Sequence, residues 1–245
     1  MMKRIWPIAT AVMMDSLRRK VVYVVLAFAA LLVLAIPSLP DYGLGVESAV
    51  FREVALALSY VTGLVVVLSL AANRVPAELE KRTVYNVLAK GVSRWEYLVG
   101  TWLGILGVMA GAIVAFTAIE MLIGYFTYGE VMWRLWQGAL ATWFEMGVVS
   151  AFAVAASSVT GPVVVVTATL AGLFIGHSRS TLLGGEGALA LRPFYPSLDA
   201  FNVVNPVAHG SGVPLIYMLS MAVVFIGFAG ACLSVGVLLL SRRDL

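Results

Sequence analysis

Glu120 and Glu145 are ionisable residues set inside long apolar stretches of a 245-residue chain. An acidic side chain at the centre of a membrane helix costs about 2.5–3.5 kcal/mol on insertion scales, so such groups face a bundle interior or a water-filled space. The chemistry open to them there is that of cation or proton ligands; a hydrogen bond to Thr142 or to a Trp indole would make them structural instead. Glu120 lies late in its stretch and Glu145 early in the next, which puts both in the same outer half and in reach of one layer. They are the candidate pathway residues. Soft ligands are few: Cys232, His177 and His209 complete the Cys and His inventory. A zinc site takes three or four such ligands, so no metal site is expected. Met218 and Met221 read as core or lipid contacts, since Cys232 is far from them. His209-Gly-Ser211-Gly and Gly176-His-Ser178-Arg each place Ser near His, but neither forms a Gly-x-Ser-x-Gly elbow or carries an acidic orienter beside the His. No catalytic residue is assigned. The chain also has no Gly-rich loop followed by Lys and Ser or Thr, and no Gly-Lys dipeptide. It therefore lacks the phosphate cradle of an ATPase and is expected to be no enzyme; active transport would draw on a partner.

These residues need elements to position them, and the composition says which. With 61% hydrophobic residues, 12% charged and a mean hydropathy of +0.98, the chain has more apolar surface than one soluble core of this length can bury. That excludes a disordered chain, a soluble enzyme domain and a single-span anchor, and predicts an all-α membrane protein. About 20 uncharged residues span the roughly 30 Å hydrocarbon layer as a helix, which satisfies its own backbone. Such stretches run over 21–39, 54–72, 97–125, 138–158 and 214–240, and Pro162 opens a sixth over 162–182. The expected fold is one six-span bundle over 1–245, with an external segment at 183–213. Before the first span, Ile5, Ile8, Ala9, Val12, Met13 and Leu17 recur at helical spacing between basic ends. This predicts an interfacial helix over 1–20 rather than a cleaved signal peptide.

Of the 16 Lys and Arg residues, Arg52, Arg134, Arg179 and Arg192 fall on one side of this layout, and the other 12 lie in the N-terminal segment, the 73–96 loop and the C-terminus. The positive-inside rule then places both termini and that loop in the cytoplasm of a multi-pass cell-membrane protein. The net charge of +3 and pI near 9.1 follow from this topology and do not signal nucleic acid.

The 73–96 loop is too charged to cross lipid, yet it is patterned. Pro76 can open a helix over 76–90, Glu78 and Glu80 fall in its first turn, Leu79, Val84, Val87 and Leu88 form an apolar stripe, and Gly91 can cap it. Ser93 and Glu96 then form a capping box for the third span, with Val92 stapled against Tyr97. Within that span Gly100, Gly104, Gly107 and Gly111 have the spacing of close helix approach, as do Gly172 and Gly176 in the fifth. Trp133, Trp136 and Trp143 read as an interfacial belt.

Several of these segments together resemble a known family. Glu80-Lys81-Arg82-Thr83, then Leu88-Ala-Lys-Gly-Val-Ser93-Arg94, then Glu96-Tyr-Leu-Val-Gly100 leading into Leu103-Gly104, look like the permease subunit of type-2 export-class ABC transporters. The terminal Ser241-Arg-Arg-Asp-Leu245 and the segment Phe194-Tyr-Pro-Ser-Leu-Asp-Ala-Phe-Asn202 are similar to the branch linked to multicopper-enzyme maturation. Gly91 departs from the family pattern, where Pro is common, as does Thr101, where Lys often follows the Gly. The resemblance implies that two permease copies form the pathway and that the loop helix docks on a separate ABC ATPase subunit, which binds the ATP. It also implies that Glu78, Glu80, Lys81, Arg82 and Tyr85 make the coupling contacts, with Arg94 at the turn. The alternatives left open are a passive channel and an assembly or anchor subunit.

Overall fold

The computed structural model describes residues 2–19, 21–36, 46–80, 91–178 and 197–242. Among these, every regular element is helical. In chain order they are α1 (Met2–Arg19), α2 (Val21–Ala35), α3 (Glu47–Glu80), α4 (Arg94–Tyr128), α5 (Leu135–Ser157), α6 (Pro162–His177), a 3-10 turn (Leu198–Phe201), α7 (Val204–Ala208) and α8 (Leu215–Ser241). The helices α3, α4, α5 and α8 are long and apolar enough to cross a membrane, and α2 and α6 are shorter apolar helices. The chain is an all-α protein of membrane-spanning character.

Pairs of contacts fix the directions. Ser59 meets Glu120 and Tyr97 meets Glu78, so α3 and α4 are antiparallel. Trp102 meets Gly147 and Trp143 meets Leu106, so α4 and α5 are antiparallel as well. α8 runs parallel to α5, with Phe225 against Gly147 and Gly236 against Ala155. α5 is the central post and the most buried of the four long helices, because α3, α4, α6 and α8 all pack on it. Trp102 on α4 donates its indole N–H to Gly147 O at 3.0 Å, and Trp143 on α5 donates to Leu106 O at 3.1 Å. This reciprocal stitch corrects the belt reading for Trp143, which lies in a cluster with Phe144 and Phe225. Trp133 and Trp136 do stay exposed. Met218 and Met221 are buried in the core.

The apolar stripe of α1 packs on protein. Ile8, Val12 and Met13 lie over Gly100, Gly104 and Gly107, so the two helices run alongside each other in the same direction. A Cβ at Gly104 would stand 2.4 Å from Val12 Cβ and 2.9 Å from Ala9 O, a distance only glycine tolerates. Sequence spacing identified the close approach; the partner is α1, which was expected to lie on the membrane surface. Gly111 meets nothing and takes no part in this contact.

The expected helix start at Pro76 is also absent, because α3 is one helix of 34 residues that carries Pro76 inside it. Its length of about 50 Å exceeds the apolar layer, so its charged end extends beyond that layer. Proline there forfeits one backbone hydrogen bond. Arg74 and Glu78, paired at 3.0 Å across it, hold the turn, and Arg74 also pairs with Asp15 of α1 at 3.3 Å. The remainder of the expected 76–90 helix, from 81 to 90, lies outside the described residues, as do residues 183–196 of the external segment. α4 begins as the sequence requires: Ser93 accepts from Glu96 N at 3.1 Å while Glu96 accepts from Ser93 N at 2.8 Å. It ends on Gly129, left-handed at φ 71°, whose N–H reaches Tyr125 O.

The charged residues sort to two ends. Arg52 pairs with Glu130 at 3.9 Å, and Arg134 donates to Ser211 O at one end. Arg4 donates to Gly91 O at the other, near Asp15, Arg74 and Glu78.

Candidate functional site

Consecutive residues of α3 reach the two buried acids. Ser59 donates to Glu120 Oε1, and Tyr60 Oη donates to Glu145 Oε1 at 2.7 Å. Neighbours on a helix point about 100° apart, so α3 holds one acid toward α4 and the other toward α5. Glu120 is 1% exposed and Glu145 is 3% exposed, and they occupy one layer. The structural partner expected for such an acid was Thr142 or an indole. For Glu145 it is instead Tyr60 and His177, whose Nε2 stands 3.4 Å from the same Oε1.

Small residues make this convergence possible. Gly138 lets Leu56 come so close that a Cβ would meet its Cδ2 at 2.5 Å, which draws α3 onto α5. Gly176 does the same for Leu198, at 2.6 Å, and so seats the 3-10 turn against the end of α6. His177 follows directly, with Nδ1 at 3.3 Å from Leu173 O one turn back, which turns Nε2 toward Glu145. The His177 ring stands edge-on to Tyr60, centroids 6.2 Å apart at 79°.

Around Glu145 lies a cavity of about 280 Å³. Leu56, Val61, Phe201 and Val203 give it apolar walls, and Thr142 and Asn202 add polar groups. Among the described residues no cluster of three His, Cys, Asp or Glu side chains converges as a metal site. The arrangement can bind a ligand that is apolar over most of its surface and positive at one point. Away from this cavity, Ser211 Oγ donates to Pro206 O and His209 Nδ1 faces Asn205 O.

The expected coupling residues separate. Glu78 is turned inward, accepting from Tyr97 Oη at 2.6 Å and pairing with Arg74, so it braces the junction of α3 and α4 instead of facing outward. Glu80 is exposed at the end of α3, and Arg94 is half-buried at the start of α4. Lys81, Arg82 and Tyr85 lie outside the described residues.

No family model matches the sequence, and no curated protein matches it.

Sequence reasoning noted His177 only as a spare metal or protease residue and did not single out Tyr60. A polar ring inside the uncharged 54–72 stretch was the available signal. It points to a bonded partner, because a buried hydroxyl without one costs free energy.

Proposed function

We propose that the chain is a six-span permease subunit of an ATP-driven export-class transporter, with a second permease copy completing the pathway and a separate ABC ATPase supplying energy. In this reading α2 and α6 complete the six spans begun by the four long helices, and the basic end of the bundle faces the cytoplasm. The observation that carries it is the braced charged junction. Asp15 of α1, Arg74 and Glu78 of α3, and Tyr97 of α4 are linked by ion pairs and a hydrogen bond directly before the acidic–basic run that starts at Glu80. A lever must be fixed to the spans at its root and offer charge at its tip, and this junction supports both requirements. The resemblance of 80–104 to the permease pattern supplies the identity of the partner.

The test is co-expression with ABC ATPase subunits from the same source, purification through the permease, and measurement of ATP turnover. The ATPase should co-purify, its turnover should depend on this chain, and Glu80→Lys or Arg82→Glu should weaken recovery, since like charges at an interface repel. Failure of every ATPase to associate, or unchanged recovery across both reversals, would overturn the coupling. Flux without ATP in the same vesicles would identify a passive channel.

A further inference from the structure

The cavity beside Glu145 has features that select its occupant. Both contacts to the acid, from Tyr60 and from His177, fall on Oε1. Oε2 takes no hydrogen bond from the described residues, and the same holds for Thr142 Oγ1, one helical turn before it on the same wall. Two oxygen acceptors are therefore grouped on one side of a space whose other walls are Leu56, Val61, Phe201 and Val203, with Asn202 as a further polar group. The Tyr60 and His177 rings stand beside the acid, and Phe201 is a further buried ring in the lining.

We propose that this cavity binds a small amphipathic ammonium ion: a protonated amine whose N–H groups bond to Glu145 Oε2 and Thr142 Oγ1 and whose apolar body fills the rest. An ionised Glu145 carboxylate selects a cation over an anion, and the Phe201 ring in the lining favours the same sign. A hard metal ion would need six or more oxygen ligands, and the lining supplies far fewer. A sugar would need polar groups around its whole rim, whereas Leu56, Ala57, Val61, Phe201, Val203 and Val204 leave half of this lining apolar. A volume of about 280 Å³ suits an amine with a single ring or a short branched chain. The site is complete within one chain, so the proposal stands or falls independently of the ATPase reading.

The experiment is isothermal titration of the purified full-length chain in lipid nanodiscs with benzylammonium, with empty nanodiscs subtracted and benzyl alcohol as the neutral analogue. Wild type should bind benzylammonium at one saturable site and benzyl alcohol at least tenfold more weakly. Glu145→Gln, which keeps an oxygen for Tyr60 to bond, should lose tenfold or more in affinity for the ammonium and show no change for the alcohol. Ala57→Phe, which fills the cavity from α3 without touching the acid, should abolish saturable binding of both. Equal affinity for ammonium and alcohol, undiminished ammonium binding by Glu145→Gln, or no saturable heat with wild type would each overturn the proposal. If Glu145→Gln does not yield folded protein, folded Ala57→Phe that still binds benzylammonium overturns it alone.

Discussion

Tyr97 makes one hydrogen bond whose loss should be measurable by itself. Its hydroxyl is held at 2.6 Å from Glu78 Oε2, and the ring is 2% exposed. Tyr97→Phe keeps the packing and removes the bond to a charged acceptor, a type of bond worth about 1.5–3 kcal/mol. Ser93→Ala removes the α4 cap, worth about 1 kcal/mol. Detergent-titrated unfolding followed by circular dichroism should therefore rank Tyr97→Phe as the more destabilised, with both below wild type. The reverse order would mean that the cap, not the Glu78 bond, anchors this end of α4. Legibility differed sharply at this scale. Ser93 and Glu96 are three residues apart, so their box is written in local spacing. Tyr60 and Glu145 are 85 residues apart, and only the packing of α3 on α5 brings them together.

Elements follow a similar rule. Apolar runs located the long helices because the 30 Å layer sets a minimum length that composition alone reveals. Their ends were less visible. α3 continues through Pro76, where Arg74 and Glu78 are also held by Asp15 of α1 and Tyr97 of α4, and those contacts belong to tertiary structure. The glycine spacing of α4 announced a close neighbour without saying that the neighbour was α1. The glycines nonetheless give a paired prediction. Gly104→Ala drives a methyl into Val12 and the Ala9 carbonyl, and overpacking of that kind costs about 1–3 kcal/mol. Gly111→Ala, on the same helix with open space around it, should be neutral or gain up to about 1 kcal/mol from helix propensity. Thermal unfolding of the two variants in one detergent tests the arrangement. A Gly104→Ala protein as stable as Gly111→Ala would show that α1 does not rest on α4.

At the scale of the whole molecule the charges report topology, and topology decides how force can travel. Single cysteines at Arg82 and Arg192, introduced after Cys232→Ser, should be labelled by an impermeant maleimide from opposite sides of the membrane. Labelling from one side would remove the six-span layout. With that layout, the junction of α1, α3 and α4 predicts two separable defects in a reconstituted complex. Glu80→Lys changes an exposed charge at the end of α3. It should lower ATPase recovery about tenfold while leaving the thermal stability of the permease within about 0.5 kcal/mol of wild type. Tyr97→Phe removes, from α4, the hydrogen bond that braces the same end of α3 at Glu78. It should leave recovery intact and lower the substrate moved per ATP, because a docked helix that slides at Glu78 turns over nucleotide without shifting the spans. Measuring recovery, ATP turnover and flux side by side distinguishes contact from brace. If both variants lost recovery in proportion to stability, the junction would be a structural clasp only, and coupling would have to pass through some other part of the chain.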